Sequence, residues 1–167
     1  MTIRPERAGD TGAIRAVNEA AFETSVEANL VDLLRDQASP LVSLVAEIDG
    51  AIRGHILFSP MALASGGEAI VMGLAPMAVA PAHQRRGLGS ALVLAGIESC
   101  RELPCDALVV LGHAAYYPRF GFQPASRFGL RSEYDVPDEV FMALELTPGA
   151  LAGQSGTVRY HPAFAAL

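Results

Sequence analysis

The chain has 167 residues, 51% apolar and only 18% charged, which excludes a disordered chain and sets the expectation of one domain. Its 12 basic residues, all arginine, stand against 18 acidic ones for a net charge of −6, so a basic face for nucleic-acid phosphates is not expected and no nucleic-acid partner is assigned. No apolar run reaches the roughly 18 residues of a membrane span, and Met1-Thr2-Ile3-Arg4-Pro5-Glu6-Arg7 lacks the apolar core of a secretory signal. No membrane partner is expected, and the expected location is cytoplasmic.

In chain order, a short strand is expected over Thr2–Arg4, followed by a helix whose apolar face carries Ile14, Val17, Ala21 and Phe22 behind Asp10 as N-cap. A second helix starts at a Ser25 cap, has Glu27 near its start and Leu30, Leu33 and Leu34 on one face, and ends near Asp36. Residues 41–48 and 52–58 read as a hairpin around the Asp49-Gly50 turn. Residues 69–73 are a further apolar run. Residues 74–80 are nearly continuous in apolar character, which suits a central strand, the fourth, with a local irregularity at Pro76 because proline donates no ladder hydrogen bond. A long helix over 82–101 follows, then a fifth strand over 107–111, a short helix at Tyr116–Phe120, and late strands over 141–146 and 157–160. Strands mixed with helices in this order predict a mixed α/β (α+β) fold. Cys100 and Cys105, at C-x4-C spacing, match neither a zinc nor a redox pattern and read as packing residues. The four scattered histidines form no metal-binding group, so no metal is expected.

The chemistry concentrates between residues 79 and 92, where an apolar strand passes through Pro81-Ala82-His83-Gln84-Arg85-Arg86-Gly87 into a helix with a second glycine at Gly89. Amides at a helix start have no intrahelical acceptor and sit at the positive end of the dipole, which makes a seat for phosphate. Gly87 and Gly89, lacking Cβ atoms, let a diphosphate approach the main chain, and Arg85 and Arg86 add charge at the rim. A Rossmann fingerprint requires a third glycine where Leu92 stands, and a Walker loop requires a lysine that the chain does not contain. Gly-x-Gly alone is also compatible with a tightly packed helix start.

Gln84-Arg85-Arg86-Gly87-Leu88-Gly89 matches the Q/R-x-x-G-x-G/A signature of the GCN5-related N-acetyltransferases (GNAT), and about thirty residues on, Tyr116-Tyr117-Pro118-Arg119-Phe120-Gly121-Phe122 resembles that family's second landmark. Together with Leu74-Ala75-Pro76-Met77-Ala78-Val79 and Val110-Leu111-Gly112, these residues resemble the YhbS-like subgroup. The resemblance spans roughly residues 2–146, the implied core of the single domain, and the C-terminal strand and tail over 147–167 also look like that subgroup's ending. It implies a central mixed, mostly antiparallel sheet splayed between strands 4 and 5, with acetyl coenzyme A (acetyl-CoA) in the opening. The backbone of Met77, Ala78 and Val79 would run beside the pantetheine, and the amides of Gln84, Arg85, Arg86, Gly87, Leu88, Gly89 and Ser90 would take the diphosphate.

The activity so implied is N-acetyl transfer (EC 2.3.1 class) from acetyl-CoA to a primary amine of a small molecule or peptide by direct attack. An amide of residues 77–79, with Val79 the candidate, would face the developing oxyanion. Tyr117 is the implied general acid for the leaving sulfur, with Tyr116 in a packing role. The glutamate that many relatives carry on strand four has no counterpart in residues 74–80. The base is therefore unassigned, with His113, Glu27, His83 and Glu145 as candidates. The absent glutamate favours a rival class, a non-catalytic acyl-CoA-binding sensor or scaffold, and Tyr117 opposes it. The apolar tail Pro162-Ala163-Phe164-Ala165-Ala166-Leu167 fits either a homodimer contact or packing on its own domain.

Overall fold

A hairpin organises the N-terminal half. Asp49 and Gly50 both take left-handed conformations (φ 52° and 78°) and turn β2 (Val42–Ile48) into β3 (Ala51–Leu63), as an Asp-Gly turn favours. In this computed structural model, which describes residues 1–167 apart from the side chain of Ala166, the remaining strands are β1 (Thr2–Pro5), β4 (Val71–Val79), β5 (Ala107–Leu111), β6 (Gln123–Pro124), β7 (Leu130–Ser132), β8 (Phe141–Glu145) and β9 (Gly156–Arg159). The helices are α1 (Thr11–Phe22), α2 (Val26–Gln37) and α3 (Leu88–Arg101). Hydrogen-bonded strand neighbours follow the order β1-β2-β3-β4-β5-β8-β6, with β9 paired to β3 and β7. Pairing is mostly antiparallel, β4–β5 and β7–β9 being parallel, so the mixed α/β class holds.

The chain forms two compact units. The first comprises Met1–Ser59, Ala75–Ser99 and Pro162–Leu167, and the second Pro60–Leu74 and Cys100–His161. In the first, the β2–β3 register shifts between Ala46 and Glu47, skipping Arg53, and beyond that bulge successive residues of β3 point to opposite faces. Gly54 faces α3, where an added Cβ would meet Leu92, and the ring of Phe58 lies where a side chain at Gly96 of α3 would have to go. His55 points the other way, to Asn18 of α1. Ile14, Val17, Leu30, Val31 and Leu34 of α1 and α2 are buried. The 162–166 turn packs on α2 and buries Ala163 and Phe164, so the apolar tail covers its own unit. In the second unit, Val71, Val109, Phe141, Ala143 and Val158 centre a core that also takes in Leu130 and Leu151. Cys100 and Cys105 are buried and unbridged, and burial pushes both thiols up, to about 12 and about 11, as inert packing groups require.

Several boundaries differ from the sequence expectation. Asp10 does not cap α1 through its side chain: its carboxylate instead takes two hydrogen bonds from Arg4 and one from the Arg7 amide, which closes the 3-10 turn Ala8–Asp10 that precedes the helix. Ser25 likewise makes no side-chain cap, and only its carbonyl engages the helix, accepting from Asn29. β4 starts at Val71 and merges the two apolar runs into one strand, with a cis Ala75–Pro76 peptide inside it. The long helix starts at Leu88, not Ala82, because Arg85 and Gly87 take left-handed φ of 63° and 86°, which a right-handed helix cannot contain.

The first unit also holds a chain of polar groups, buried at Asn18 and His55 and half-buried at Ser43 and Glu6. Asn18 Nδ2 donates to the Ile14 carbonyl (3.0 Å) and faces His55 Nδ1 at 3.2 Å, while Ser43 Oγ stands 2.9 Å from His55 Nε2 and donates to Glu6. Since the Ser43 proton is spent on Glu6, Ser43 accepts from Nε2–H, and the imidazole is neutral with Nδ1 as acceptor. Burial holds the His55 pKa down to about 4 against the upward pull of Glu6, and the Arg35 charge adds a lesser downward push. Burial alone would push Glu6 up, but hydrogen bonds from Arg35 and Ser43 outweigh it and hold that carboxyl below its ordinary value. Between about pH 6.5 and 4 the unfolded chain binds a proton at His55 that the folded state excludes, so stability falls as pH is lowered through that window. Denaturant unfolding is expected to give about 2 kcal/mol less stability from this group at pH 5 than at pH 7.5. His55→Gln should flatten that slope, and equal slopes in the two proteins would remove His55 as its source.

Candidate functional site

The first unit carries the strand-to-helix passage. β4 ends with Met77, Ala78 and Val79, of which Ala78 is buried and the other two half-buried. The Ala80 amide donates to the Arg53 carbonyl, and Pro81–His83 then make one 3-10 turn. Gln84 fastens the loop to the strand. Its amide donates to the Pro81 carbonyl (3.4 Å) and its side-chain Nε2 to the Val79 carbonyl (3.1 Å). Its contribution is therefore to loop shape.

From Arg85 the main chain turns outward. The first helical hydrogen bond runs from the Ala91 amide to the Gly87 carbonyl at 3.0 Å. The amides of residues 85–89 donate to no carbonyl or side chain among the described residues. Left-handed residues at 85 and 87 alternate with ordinary ones, a backbone habit that converges N–H groups into an anion-binding hollow. At Gly87 a Cβ would meet nothing within 4 Å, so conformation and open access to the amides, not packing, account for the glycine. Arg85 and Arg86 are exposed, and neither guanidinium has a partner among the described residues. Leu88 is buried and offers only its backbone N–H. The hollow thus joins unsatisfied amides, a helix start and two uncommitted cations, a donor set that fits a diphosphate.

The second unit carries the aromatic landmark. β5 ends at Leu111, Gly112 and His113 follow, and a 3-10 turn spans Tyr117–Phe120. The amides of Tyr116 and Tyr117 both donate to the His113 carbonyl (3.0 and 3.4 Å), so His113 and Tyr117 belong to one turn. Tyr117 is 7% exposed, its ring edge-on to those of Tyr116 and Phe122 with centroids 5.0 and 5.7 Å away. Gly112 makes room for it, since a Cβ there would stand 2.5 Å from the ring. Burial, and secondarily Tyr116, push the Tyr117 phenol up to about 12, so it stays protonated at neutral pH. No other described residue hydrogen-bonds its hydroxyl. On the ring of Tyr116 lies the guanidinium of Arg119, 4.4 Å from the centroid, which gives that tyrosine a packing role.

The base candidates fare unequally. Glu27, in the first turn of α2, accepts from Thr24 Oγ1 (3.1 Å), and Glu145 accepts the Leu151 amide (2.9 Å). His83 is half-buried with its Nδ1 enclosed and unpartnered. His113 is exposed, and its ring has no partner among the described residues. The parallel β4–β5 ladder runs Val71↔Ala107, Met72↔Leu108 and Gly73↔Val109 and ends there, while β4 continues to Val79. No acidic residue lies on β4. Sequence reasoning missed the left-handed Arg85, because only glycine, asparagine and aspartate advertise that conformation.

The Acetyltransferase (GNAT) family model matches residues 12–122, and the chain belongs to that family. It is 40% identical over 153 residues to an uncharacterized N-acetyltransferase of Escherichia coli K12, YjhQ, covering 86% of this chain and 84% of that one. A crystal structure of the E. coli GNAT family N-acetyltransferase YhbS in complex with CoA superposes with a TM-score of 0.91 at 35% identity, over 98% of this chain and 91% of that one. A Brucella melitensis GNAT family acetyltransferase in complex with acetyl-CoA gives 0.80 at 36% identity, over 98% and 97% of the two chains. Among the described residues no helix is long and apolar enough to cross a membrane.

Proposed function

We propose that the protein transfers an acetyl group from acetyl-CoA to a primary amine of a small molecule or peptide. The observation that carries this reading is the run of amides at residues 85–89 without acceptors, flanked by the unpaired guanidiniums of Arg85 and Arg86. Those groups would hold the diphosphate, and Met77, Ala78 and Val79 would offer main-chain donors and acceptors to the pantetheine. The cosubstrate supplies an activated thioester. The Ser90 amide, also in the first turn of α3, would extend the seat.

Within this reading, an amide at Val79 stabilises the oxyanion that develops when the amine attacks. Tyr117, protonated at neutral pH and with its hydroxyl uncommitted, donates a proton to the leaving sulfur. His113, whose ring is free where the carboxylates of Glu27 and Glu145 are engaged and the His83 Nδ1 is enclosed, takes the proton from the amine directly or through water. The relatives that were crystallised with CoA and acetyl-CoA support the choice of cosubstrate.

The carboxylate-free β4 favours a second reading, in which acyl-CoA is held without turnover. Thiol release from acetyl-CoA, followed across a panel of amines, peptides and aminoglycosides, separates the two. Amine-dependent release is expected, and coenzyme A binding with no release from any amine would sink the transferase reading while sparing the binding one.

A further inference from the structure

A groove of about 570 Å³ in the first unit, outside the 85–89 hollow, lies between α1 and the β2–β3 hairpin. Its helix wall is Ala13, Ala16, Val17 and Ala20, and Ile52 and Arg53 of β3 face it. Alanines at i, i+3 and i+7 set one small-residue face of α1 along the groove, and the three are exposed. Larger residues there would fill the space. The volume is in the range that takes a compact organic molecule.

The charges of the groove are unequally committed. Arg4 binds Asp10 through two nitrogens (2.7 and 3.1 Å) and Glu47 through Nε. Asp10 also takes the Arg7 amide, and the Arg7 charge acts on it, so its carboxyl lies at about 2, with Arg4 the largest cause. The two carboxylates thus have their cations. Arg53 differs: its carbonyl accepts the Ala80 amide, which fixes its backbone, but its exposed guanidinium has neither ion pair nor hydrogen bond among the described residues. One uncommitted cation beside an apolar wall is the complement of a single anionic group on a small apolar body.

We propose that this groove binds a small organic carboxylate with a compact apolar body, Arg53 pairing with the carboxylate and the α1 alanines with Val17 and Ile52 receiving the rest. The site shares no residue with the proposed diphosphate seat, so it stands apart from the acetyl-transfer reading. The carboxylate can come from a simple acid or from an amino acid, and both offer the same group to Arg53.

The test is an amide-resolved NMR titration of the intact protein with isovalerate, L-leucine and isoamylamine, which separate the carboxylate from the amine. Saturable shifts confined to amides of residues 13–20 and 51–53 are expected with isovalerate, L-leucine or both, and none with isoamylamine. Arg53→Gln should weaken that binding by at least about tenfold, and Ala16→Leu should abolish it by filling the groove. Both variants should keep wild-type coenzyme A affinity, which shows them folded and separates failure here from failure of the diphosphate seat. No saturable shift from either carboxylate, equal shifts from isoamylamine, or unchanged affinity in Arg53→Gln would each overturn the proposal.

Discussion

Tyr117→Phe is expected to lower kcat by about a hundredfold or more, the usual scale for removing a positioned general acid, with the KM for acetyl-CoA nearly unchanged. The substitution removes one oxygen and keeps the ring that Tyr116, Phe122 and Gly112 enclose, so the turn should fold as before. The phenol sits at about 12 because burial penalises the phenolate, so the wild-type acid stays neutral and keeps its proton through neutral and moderately alkaline pH. Its loss should therefore depress kcat by a similar factor from pH 7 to pH 9. An unchanged kcat over that range, measured with a turned-over amine, removes Tyr117 from proton transfer and leaves it as a packing residue.

The second large effect concerns Arg85 and Arg86. Replacing both by glutamine should raise the KM for acetyl-CoA and the Kd for coenzyme A by about tenfold to a hundredfold, with kcat at saturation little changed. Each guanidinium is exposed and unpaired, so neither substitution breaks an internal contact. Exposure also tempers the gain from each charge-assisted bond, since water screens it, which is why the effect should shrink as salt is raised. A double variant with wild-type affinity at low salt would show that the cations serve solubility alone.

The hairpin, α1, α2, β5 and the hollow at 85–89 were readable because each rests on local chemistry: Asp-Gly turn geometry, 3.6-residue periodicity, and glycines beside a helix start. The errors also have physical causes. Ala82 to Arg86 contains acceptable helix formers after Pro81, and nothing in Arg85 signals a left-handed φ, so the predicted helix began six residues early. Asp10 and Ser25 have the right side chains for caps. A tertiary claim by Arg4 outbids the local one at Asp10, and no such competitor is visible at Ser25. β3 runs on to Leu63 through Pro60, a residue that ordinarily demotes a strand, and the very short β6 and β7 carry too little pattern to read.

The site was legible in part. Spacing placed Gly87 and Tyr117 in the right local settings, but the depth of Tyr117 burial follows from Gly112, a neighbour whose meaning appears only in three dimensions. The polar run Asn18–His55–Ser43–Glu6 pairs residues up to 37 apart in sequence, and no periodicity announces such pairings. The same holds for the Arg53 groove, which needs α1 and β3 side by side.

A calorimetric titration of the unaltered protein with coenzyme A and, in parallel, with pantetheine removes the nucleotide and its diphosphate while keeping the thiol arm. If unsatisfied amides at 85–89 seat the diphosphate, coenzyme A should bind at least about a hundredfold more tightly than pantetheine. Equal affinities, or no heat from coenzyme A at all, would contradict that placement.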